Sequence, residues 1–336
     1  MKTSAFTSLL SSAALGLALA VTGLAAHVDA SAATTAQKSK RTVATSVRKT
    51  KPVSRMRKAV VVVPAVATFG QLSGLHSVDD PLDLKSGVAL VMDQDTNEVL
   101  LSKNPEAVLP IASITKLMTG LVVLEARQPM DEKIEITDED KDTLKHTYSR
   151  LRPGTVLTRE ELLHLALMAS ENSAAHALAR NYPGGLQAAI AAMNQKAQAL
   201  GMTDTRYIEP TGLSSSNQSS AKDLAALVKV AHEQPLLREF TTSKEASFMI
   251  GRREMAFHST NGLVRSRDWD IGLQKTGFIN EAGKCLVMQA QMYGRKLIMV
   301  FLDATGKTAR IADAERVRKW LGSAAPMASA HEPKLN

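Results

Sequence analysis

Ser113 and Lys116 lie three positions apart, and their types and spacing suit nucleophilic catalysis. On a helix this spacing places both side chains on one face, with Cβ atoms about 5–6 Å apart. A serine hydroxyl becomes a strong nucleophile when a nearby base removes its proton, and a neutral lysine amine can serve. Burial and a second cation both lower a lysine pKa, which favours the neutral form. The pair predicts Ser113 as nucleophile and Lys116 as general base; the alternative is a solvated pair on a surface helix.

Two later groups of residues are able to complete the same site. Ser170 and Asn172 follow an apolar run, and we expect Ser170 to relay a proton between Lys116 and the leaving amine and Asn172 to hold Lys116 and the substrate backbone. Lys275, Thr276 and Gly277 offer a second cation, a hydroxyl and room for close approach of a ligand. Each group alone is equally compatible with a helix cap or a turn. The intervals of 57 and 105 residues (170 − 113 and 275 − 170) leave room for elements that bring the groups together.

The chain also contains similar short matches that we do not assign to the site. Ser219 and Ser220 precede Asp223 and a helical run, which is typical of helix caps. The match at 259–261 begins only 16 residues before Lys275 (275 − 259), too few for a helical subdomain between them.

Two backbone N–H groups are candidates for stabilising an oxyanion. Ser113 is predicted at a helix start, where its own N–H points from the positive end of the helix dipole. Phe278 directly follows the Lys-Thr-Gly motif and is predicted to supply the second donor.

Other catalytic chemistries lack support in the sequence. The eight histidines and the single cysteine show no metal-ligand spacing, and no Gly-x-Ser-x-Gly elbow for a Ser-His-Asp triad occurs. We therefore predict no metal and no cofactor. Cys285 lies in an apolar run and is predicted to pack in the core.

Strand patterns near both ends of the chain, with helical patterns between them, must position these groups. They predict one α/β (α+β) body whose sheet is assembled from distant segments, with a helical insertion. A capping box at Thr158 and Glu161 predicts a helix that runs towards Ser170. The predicted strands are 87–93, 98–102, 286–292 and 296–303, forming two hairpins, and the predicted helices include 113–126, 173–181, 185–200, 222–233 and 312–321.

The charge of the chain is concentrated near its beginning. The net charge is +8, yet residues 30–78 hold nine basic and no acidic residues, so residues 79–336 sum to −1 (8 − 9, with Lys2 and Asp29 cancelling). With 4% aromatic residues and no recognition motif, the sequence does not favour nucleic-acid binding. The basic segment is expected to be a solvated linker, with weak contact to anionic membrane or wall as the alternative.

Composition also predicts the order of segments along the chain. An N-terminal lysine, an apolar stretch and small residues are typical of a secretory signal peptide, with an uncleaved anchor as the alternative. Both interpretations export the rest of the chain. The predicted segments are a signal peptide at 1–32, a basic disordered linker at 33–68, a catalytic domain at 69–322 and a tail at 323–336.

Four longer runs resemble a known family: PIASITKLMT at 110–119, LMASEN at 167–172, PTGL at 210–213 and QKTGF at 274–278. From about residue 69 to 321 the chain resembles the low-molecular-mass penicillin-binding proteins, which are serine D-Ala-D-Ala peptidases, and within them the endopeptidase branch. The resemblance implies a β-lactamase/transpeptidase-like fold, in which a five-stranded antiparallel sheet is flanked by helices and the site lies beside a helical subdomain. It also implies an acyl-enzyme on Ser113, inhibition by β-lactams, and a periplasmic DD-endopeptidase that cuts peptidoglycan cross-links.

Two departures and three alternatives accompany this hypothesis. Glu171 stands where the family pattern has Asp, and we expect its side chain to be replaceable because the flanking residues carry the roles. The chain ends soon after residue 321, without the anchor-bearing domain of related carboxypeptidases, which favours the endopeptidase branch. The alternatives are a D-alanyl-D-alanine carboxypeptidase, a β-lactamase, for which Glu209 before Pro210 is a poor deacylating glutamate, and a non-catalytic wall-binding or β-lactam-binding module.

Overall fold

The structure, a computed structural model, describes residues 66–329, with side chains to residue 323. The predicted signal peptide, most of the predicted basic linker and the last residues of the tail lie outside the described residues. The first helix begins at Phe69, where the sequence predicts the catalytic domain to start.

The described elements alternate between short strands and helices in the middle of the chain and long strands towards its ends. The strands are β1 Ser86–Asp93, β2 Val99–Lys103, β3 Leu109–Pro110, β4 Lys133–Glu135, β5 Val156–Thr158, β6 Gln218–Ser219, β7 Glu245–Ile250, β8 Arg253–His258, β9 Asp270–Ile279, β10 Gly283–Met292 and β11 Arg295–Ala304. The α-helices are α1 Phe69–Leu72, α2 Thr115–Glu125, α3 Arg159–His164, α4 Asn172–Arg180, α5 Gly185–Ala199, α6 Ala221–Glu233, α7 Pro235–Thr242 and α8 Ala309–Ser329. A π-helix, Leu165–Ala169, continues α3, and 3-10 turns lie at Leu75–Ser77, Ala112–Ile114, Asp138–Asp140 and Gly262–Arg265.

Five antiparallel strands form the central sheet in the order β2-β1-β11-β10-β9. Its first long strand pairs with its last, from Ser86 opposite Ala304 to Asp93 opposite Leu297. The strand β9 lies at one edge and β2 at the other, so β9 leaves one side open towards the helical region. The predicted fold class and its sheet of distant segments are confirmed.

Both faces of the sheet are buried, because successive side chains of a strand point to opposite faces. On one face, Val88, Leu90 and Val300 join a large apolar core with α2, α3 and α6. On the other face, Val91 and Phe301 pack against α8 in a smaller core. This two-sided burial explains why the sequence of the central strands is almost continuously apolar.

Most predicted elements are present with shifts of one to three residues at their ends. Both predicted hairpins form, as β1–β2 and β10–β11. The predicted capping box is present, since the Thr158 side chain accepts from the Glu161 N–H and the Glu161 carboxylate accepts from the Thr158 N–H. Ser220 caps α6 by accepting from the Asp223 N–H at 3.2 Å, as predicted.

Cys285 has no exposed surface, which confirms its predicted place in the core. Within residues 66–329, no helix combines the length and the apolar character needed to cross a membrane.

Candidate active site

Ser113 and Lys116 lie at the beginning of α2, and their side chains are in contact. The Lys116 Nζ donates to Ser113 Oγ at 2.9 Å. The predicted start of the α-helix at Ser113 is slightly wrong, because Ser113 lies in a 3-10 turn and α2 begins at Thr115. The predicted contact forms nevertheless, because the turn continues into the helix.

The Lys116 side chain is buried, and its ammonium group donates to three acceptors. Its Nζ also donates to Asn172 Oδ1 at 2.7 Å and to the Thr211 carbonyl oxygen at 2.6 Å. Burial lowers the Lys116 pKa to about 8, although the carboxylates of Glu209 and Glu171 act in the opposite direction. A neutral amine is therefore accessible close to neutral pH, as the sequence predicts for a general base.

A second buried lysine, Lys275, comes from the edge strand β9. Its Nζ donates to Ser170 Oγ at 2.8 Å and to the Thr276 carbonyl oxygen at 3.0 Å. Burial, then the positive charge of Lys116, then that of Arg310 hold the Lys275 pKa well below its usual value. Lys275 is predicted to be the cation that lowers the Lys116 pKa, but burial causes that shift and the charges of Glu209 and Glu171 oppose it; instead, the charge of Lys116 lowers the Lys275 pKa.

Ser170 occupies an unusual backbone conformation that turns its hydroxyl towards β9. It follows the π-helix directly and has φ +62°, in the left-handed region that non-glycine residues rarely adopt. Isolated π-helical turns are frequent at functional sites because they displace the residues that follow. In the described part of the chain the Ser170 hydroxyl contacts Lys275 rather than Lys116, so the structure does not give the direct Lys116 contact expected of the predicted relay, and the role of Ser170 stays a prediction.

Asn172 begins α4 and holds the base through its side-chain oxygen. Its Nδ2 donates to Thr147 Oγ1 at 2.9 Å, in the loop before β5. The neighbouring Glu171 accepts from Ser149 Oγ at 2.9 Å and lies 3.7 Å from Arg150 Nε. Burial raises the Glu171 pKa. The expectation that Glu171 is freely replaceable did not include these contacts, which hold the loop to the motif.

Two glycines allow other segments to reach the backbone of the nucleophile. A Cβ atom on Gly277 would lie 2.8 Å from the Ile111 carbonyl oxygen and 3.2 Å from the Ser113 nitrogen. A Cβ atom on Gly212, which has φ +83°, would overlap the Ala112 carbonyl oxygen. The strand β9 and the loop at 210–213 therefore pack directly against the turn that carries Ser113.

Thr276 and Phe278 are the residues directly before and after Gly277 in β9. The Thr276 hydroxyl is 2.6 Å from the Thr260 hydroxyl. The segment 259–261, which the sequence does not assign to the site, therefore contacts it. The Phe278 ring is half exposed and lies under the Lys284 ammonium, 3.9 Å from the ring centroid. The role of the Phe278 N–H as an oxyanion donor stays a prediction.

Glu209 organises the loop that contacts Lys116. Its carboxylate accepts from the backbone N–H groups of Thr211 at 2.7 Å and Gly212 at 2.6 Å, and from Asn217 Nδ2 at 2.9 Å. These contacts fix the Thr211 carbonyl oxygen on the Lys116 ammonium. No sequence pattern indicates this role, apart from the position of Glu209 directly before PTGL.

Arg310, at the start of α8, is another residue that sequence reasoning missed. Its Nη1 donates to the Gly277 carbonyl oxygen at 2.9 Å, which supports β9 beside the site. Among residues 66–329, no cluster of three or more His, Cys, Asp or Glu side chains is arranged to hold a metal ion.

The chain belongs to the Peptidase_S11 family, described as D-alanyl-D-alanine carboxypeptidase, whose model matches residues 75–306 and so more than half of the sequence. This match confirms the predicted resemblance to the serine D-Ala-D-Ala peptidases.

Similar curated proteins include two named D-alanyl-D-alanine endopeptidase. The one from Pseudomonas aeruginosa is 48% identical over 241 residues, which cover 71% of this chain and 78% of the relative. The one from Escherichia coli K12 is 46% identical over 241 residues, with the same 71% and 78% covered. The D-alanyl-D-alanine carboxypeptidase DacF of Bacillus subtilis is 30% identical over 260 residues, 75% of this chain and 66% of the relative.

Solved structures of the same fold include the Streptomyces K15 DD-transpeptidase. It superposes with a TM-score of 0.66 at 26% identity and covers 72% of this chain and 98% of that one. Penicillin-binding protein D2 of Listeria monocytogenes in its cefotaxime-bound form superposes with a TM-score of 0.63 at 28% identity and covers 70% and 96%. These similarities confirm the predicted β-lactamase/transpeptidase-like fold.

Proposed function

We propose that this chain is a serine DD-endopeptidase that hydrolyses D-alanyl cross-links in peptidoglycan through an acyl-enzyme on Ser113. The observation that carries the proposal is the 2.9 Å contact between Ser113 Oγ and the buried Lys116 amine. The 48% and 46% identical relatives named D-alanyl-D-alanine endopeptidase support the choice of substrate.

The partners of Lys116 determine where its lone pair points when the amine is neutral. An ammonium has three N–H donors, and Ser113, Asn172 and Thr211 each accept one. The Asn172 and Thr211 oxygens can only accept, so the two N–H groups of the neutral amine remain on them. The lone pair then faces the Ser113 hydroxyl, which is the one partner able to donate.

Acylation follows from this arrangement. Ser113 Oγ forms a bond to the D-alanyl carbonyl carbon while its proton moves to the Lys116 Nζ. The carbonyl π electrons move to the oxygen, and we propose the backbone N–H groups of Ser113 and Phe278 as the donors that stabilise the oxyanion. The electrostatic cost of the new ammonium is lowered by Glu209 and Glu171, whose charges favour protonated Lys116.

The leaving amine must receive a proton when the C–N bond breaks. Ser170 Oγ is bonded to the Lys275 Nζ at 2.8 Å, so the hydroxyl can pass its proton to the amine and regain one from Lys275 when that lysine is protonated. The proton that Lys116 took from Ser113 then returns to Lys275 through solvent, so that Lys116 is neutral again before deacylation. Water attacks the acyl carbon while Lys116 accepts a proton from it, and Lys116 gives that proton to Ser113 Oγ as the acyl C–O bond breaks.

Trimming of a terminal D-alanine is a second candidate function, because it is the same reaction with a smaller leaving group. The description of the family, D-alanyl-D-alanine carboxypeptidase, favours it. A β-lactamase is not favoured, since the Glu209 carboxylate is already occupied by backbone N–H groups of its own loop.

We also propose that the enzyme acts in the periplasm after export by the signal peptide at 1–32, and that β-lactams acylate Ser113. The cefotaxime-bound Listeria penicillin-binding protein of the same fold supports the second part.

The decisive experiment labels the wild-type protein and Ser113→Ala with fluorescent penicillin and digests purified cross-linked muropeptides with both. We expect labelling and cross-link cleavage by the wild type alone, seen by gel fluorescence and mass spectrometry. Equal labelling of both proteins would show that Ser113 is not the nucleophile. Release of D-alanine without loss of cross-links would favour the carboxypeptidase.

A further inference from the structure

A cavity of about 430 Å³ lies between the loop before β5 and the β7–β8 hairpin. Four of its lining residues have the chemistry to bind a ligand: Tyr148, Arg150, Arg152 and Arg253. We call it the arginine cavity. Sequence reasoning assigned no role to these residues, and the β7–β8 hairpin was not predicted.

The arginine cavity is directly connected to the catalytic motif. Arg150 Nε lies 3.7 Å from Glu171 Oε1, and Glu171 stands between Ser170 and Asn172 in the sequence. The residue before Tyr148 is Thr147, which accepts from Asn172 Nδ2. The loop that lines the arginine cavity is therefore joined to the motif by contacts at Glu171 and Asn172.

The cavity has a positive charge that its own walls do not neutralise. None of its lining residues within the described range is acidic. Arg150 is compensated by Glu171, and its guanidinium is also held 3.5 Å from the centroid of the Phe257 ring. Arg152 and Arg253 are exposed, and neither forms an ion pair with an acidic side chain in residues 66–329. Two guanidinium groups are thus available to a ligand.

The surroundings of the site on another side carry the opposite charge. A separate cavity of about 300 Å³ that includes Asn172 and Thr211 is lined by five acidic residues and one lysine, so its walls are negative on balance: Asp138, Glu139, Asp140, Asp142 and Glu209, with Lys141. A ligand lying across the motif therefore experiences negative potential in one cavity and positive potential in the other, which favours one orientation of an asymmetrically charged peptide.

We propose that the arginine cavity is an accessory substrate site that binds the carboxylates of an acidic peptide whose D-alanyl end reaches Ser113. This inference rests on the proposed function and adds that the preferred substrate is negatively charged. The planar guanidinium group pairs with carboxylates through two parallel hydrogen bonds. The Tyr148 ring, 81% exposed, offers an apolar surface for the peptide between those carboxylates.

The test measures binding apart from catalysis, in the full-length protein carrying Ser113→Ala. The ligands are a branched D-alanyl peptide with free glutamate carboxylates and the same peptide with those carboxylates amidated. In this background we compare Arg152→Gln/Arg253→Gln with Arg252→Gln/Arg267→Gln, a control pair of exposed arginines that removes the same charge outside the arginine cavity. Titration calorimetry gives the dissociation constants.

We expect Arg152→Gln/Arg253→Gln to weaken binding of the acidic peptide about fivefold, as for two exposed charge pairs. Binding of the amidated peptide and the control pair should stay unchanged. An unchanged dissociation constant for the acidic peptide in Arg152→Gln/Arg253→Gln, or equal weakening for the amidated peptide, overturns the proposal.

A separate measurement keeps this inference distinct from the proposed function. With Ser113 restored, Arg152→Gln/Arg253→Gln should react with fluorescent penicillin at the wild-type rate, because that small probe does not need the arginine cavity. A loss of penicillin labelling in this variant would show that the arginines support the catalytic site itself, and would overturn the accessory role. Absence of labelling in the wild type would count against the proposed function alone, since the calorimetric result does not depend on it.

Discussion

Lys116 and Lys275 are both buried, yet their neighbours have opposite effects on their protons. Carboxylates near Lys116 partly restore its affinity for a proton, and its pKa is about 8. Lys275 instead faces two positive groups, Lys116 and Arg310, which add to the effect of burial. In the proposed mechanism Lys116 gains a proton during acylation and Lys275 resupplies the donor Ser170, and the different surroundings of the two lysines suit these opposite roles.

The pKa of Lys116 sets the pH dependence that we predict for acylation. Burial lowers this pKa from 10.5 to about 8, so the neutral, active form increases as the pH rises. At pH 7 about one-tenth of the lysine is neutral. The second-order rate constant for acylation by fluorescent penicillin should therefore increase about tenfold per pH unit below pH 8 and level off above it.

Stopped-flow or gel measurements between pH 5.5 and 9.5 test this expectation. A rate that stays constant from pH 6 to pH 8 would mean that Lys116 does not take the proton of Ser113. The urea midpoint of unfolding at each pH serves as a control for loss of the folded state.

At the scale of elements, the sequence predicted the parts with strong patterns and missed the parts without them. The apolar runs of β1, β10 and β11, the turns between them and the capping box of α3 carry clear local signals, and all are present. The β7–β8 hairpin buries one face, with Phe248 and Phe257 in the core, and was missed because the apolar residues Met249 and Ala256 on its exposed face hide the alternation in the sequence. The π-helix before Ser170 was missed because one extra residue in a helical turn leaves no pattern in the sequence.

For the site, residue types and the four family-like runs predicted which residues take part, but not all of the contacts between them. Ser113, Lys116, Ser170, Asn172 and Lys275 are brought together as expected. Supporting partners from single residues in distant loops could not be predicted, because a hydrogen bond between two side chains needs only proximity and no sequence spacing. These partners are Thr147, Glu209, Thr260 and Arg310.

The packing of the loop at 210–213 against the nucleophile turn predicts a severe effect of Gly212→Ala. The new methyl group would overlap the Ala112 carbonyl oxygen at a backbone conformation with φ +83°. We expect the free energy of unfolding to fall by about 3 kcal/mol or more, from backbone strain and steric overlap together. The turn that carries Ser113 must shift, so acylation by fluorescent penicillin should fall at least tenfold, a change worth about 1.4 kcal/mol.

Gly154→Ala is the matched control, because Gly154 has φ +85° and open space around its Cβ position. This variant carries the strain alone and should lose about 1–2 kcal/mol, with unchanged acylation. Equal urea-unfolding free energies for the two variants would show that the contact between Gly212 and Ala112 contributes nothing.

At the scale of the whole molecule, one region of the chain is strongly basic and the rest is nearly neutral. Residues 33–58 contain all nine basic residues of the segment 30–78, and residues 79–336 sum to −1 (8 − 9). Each basic residue near an anionic surface contributes about 1 kcal/mol, and salt screens this attraction over a Debye length of about 8 Å at physiological ionic strength.

The alternative to a solvated linker makes a testable prediction: removal of residues 33–58 weakens an electrostatic contact with anionic surfaces and leaves the peptidase intact. Binding to vesicles containing anionic lipid, measured by co-sedimentation at low salt, should fall at least about tenfold. The difference should disappear at high salt and with vesicles of neutral lipid, while penicillin labelling stays the same. Equal binding of both proteins at low salt would leave the segment as a spacer.

The pairing of β1 with β11 also determines when the protein is able to fold. Ser86 lies opposite Ala304, 218 residues later (304 − 86). At a synthesis rate of about 5–20 residues per second, the first strand waits roughly 10–40 s before its partner leaves the ribosome. The central sheet cannot close during that interval. This delay is compatible with the export that we propose, because the central sheet stays open while the chain is being made.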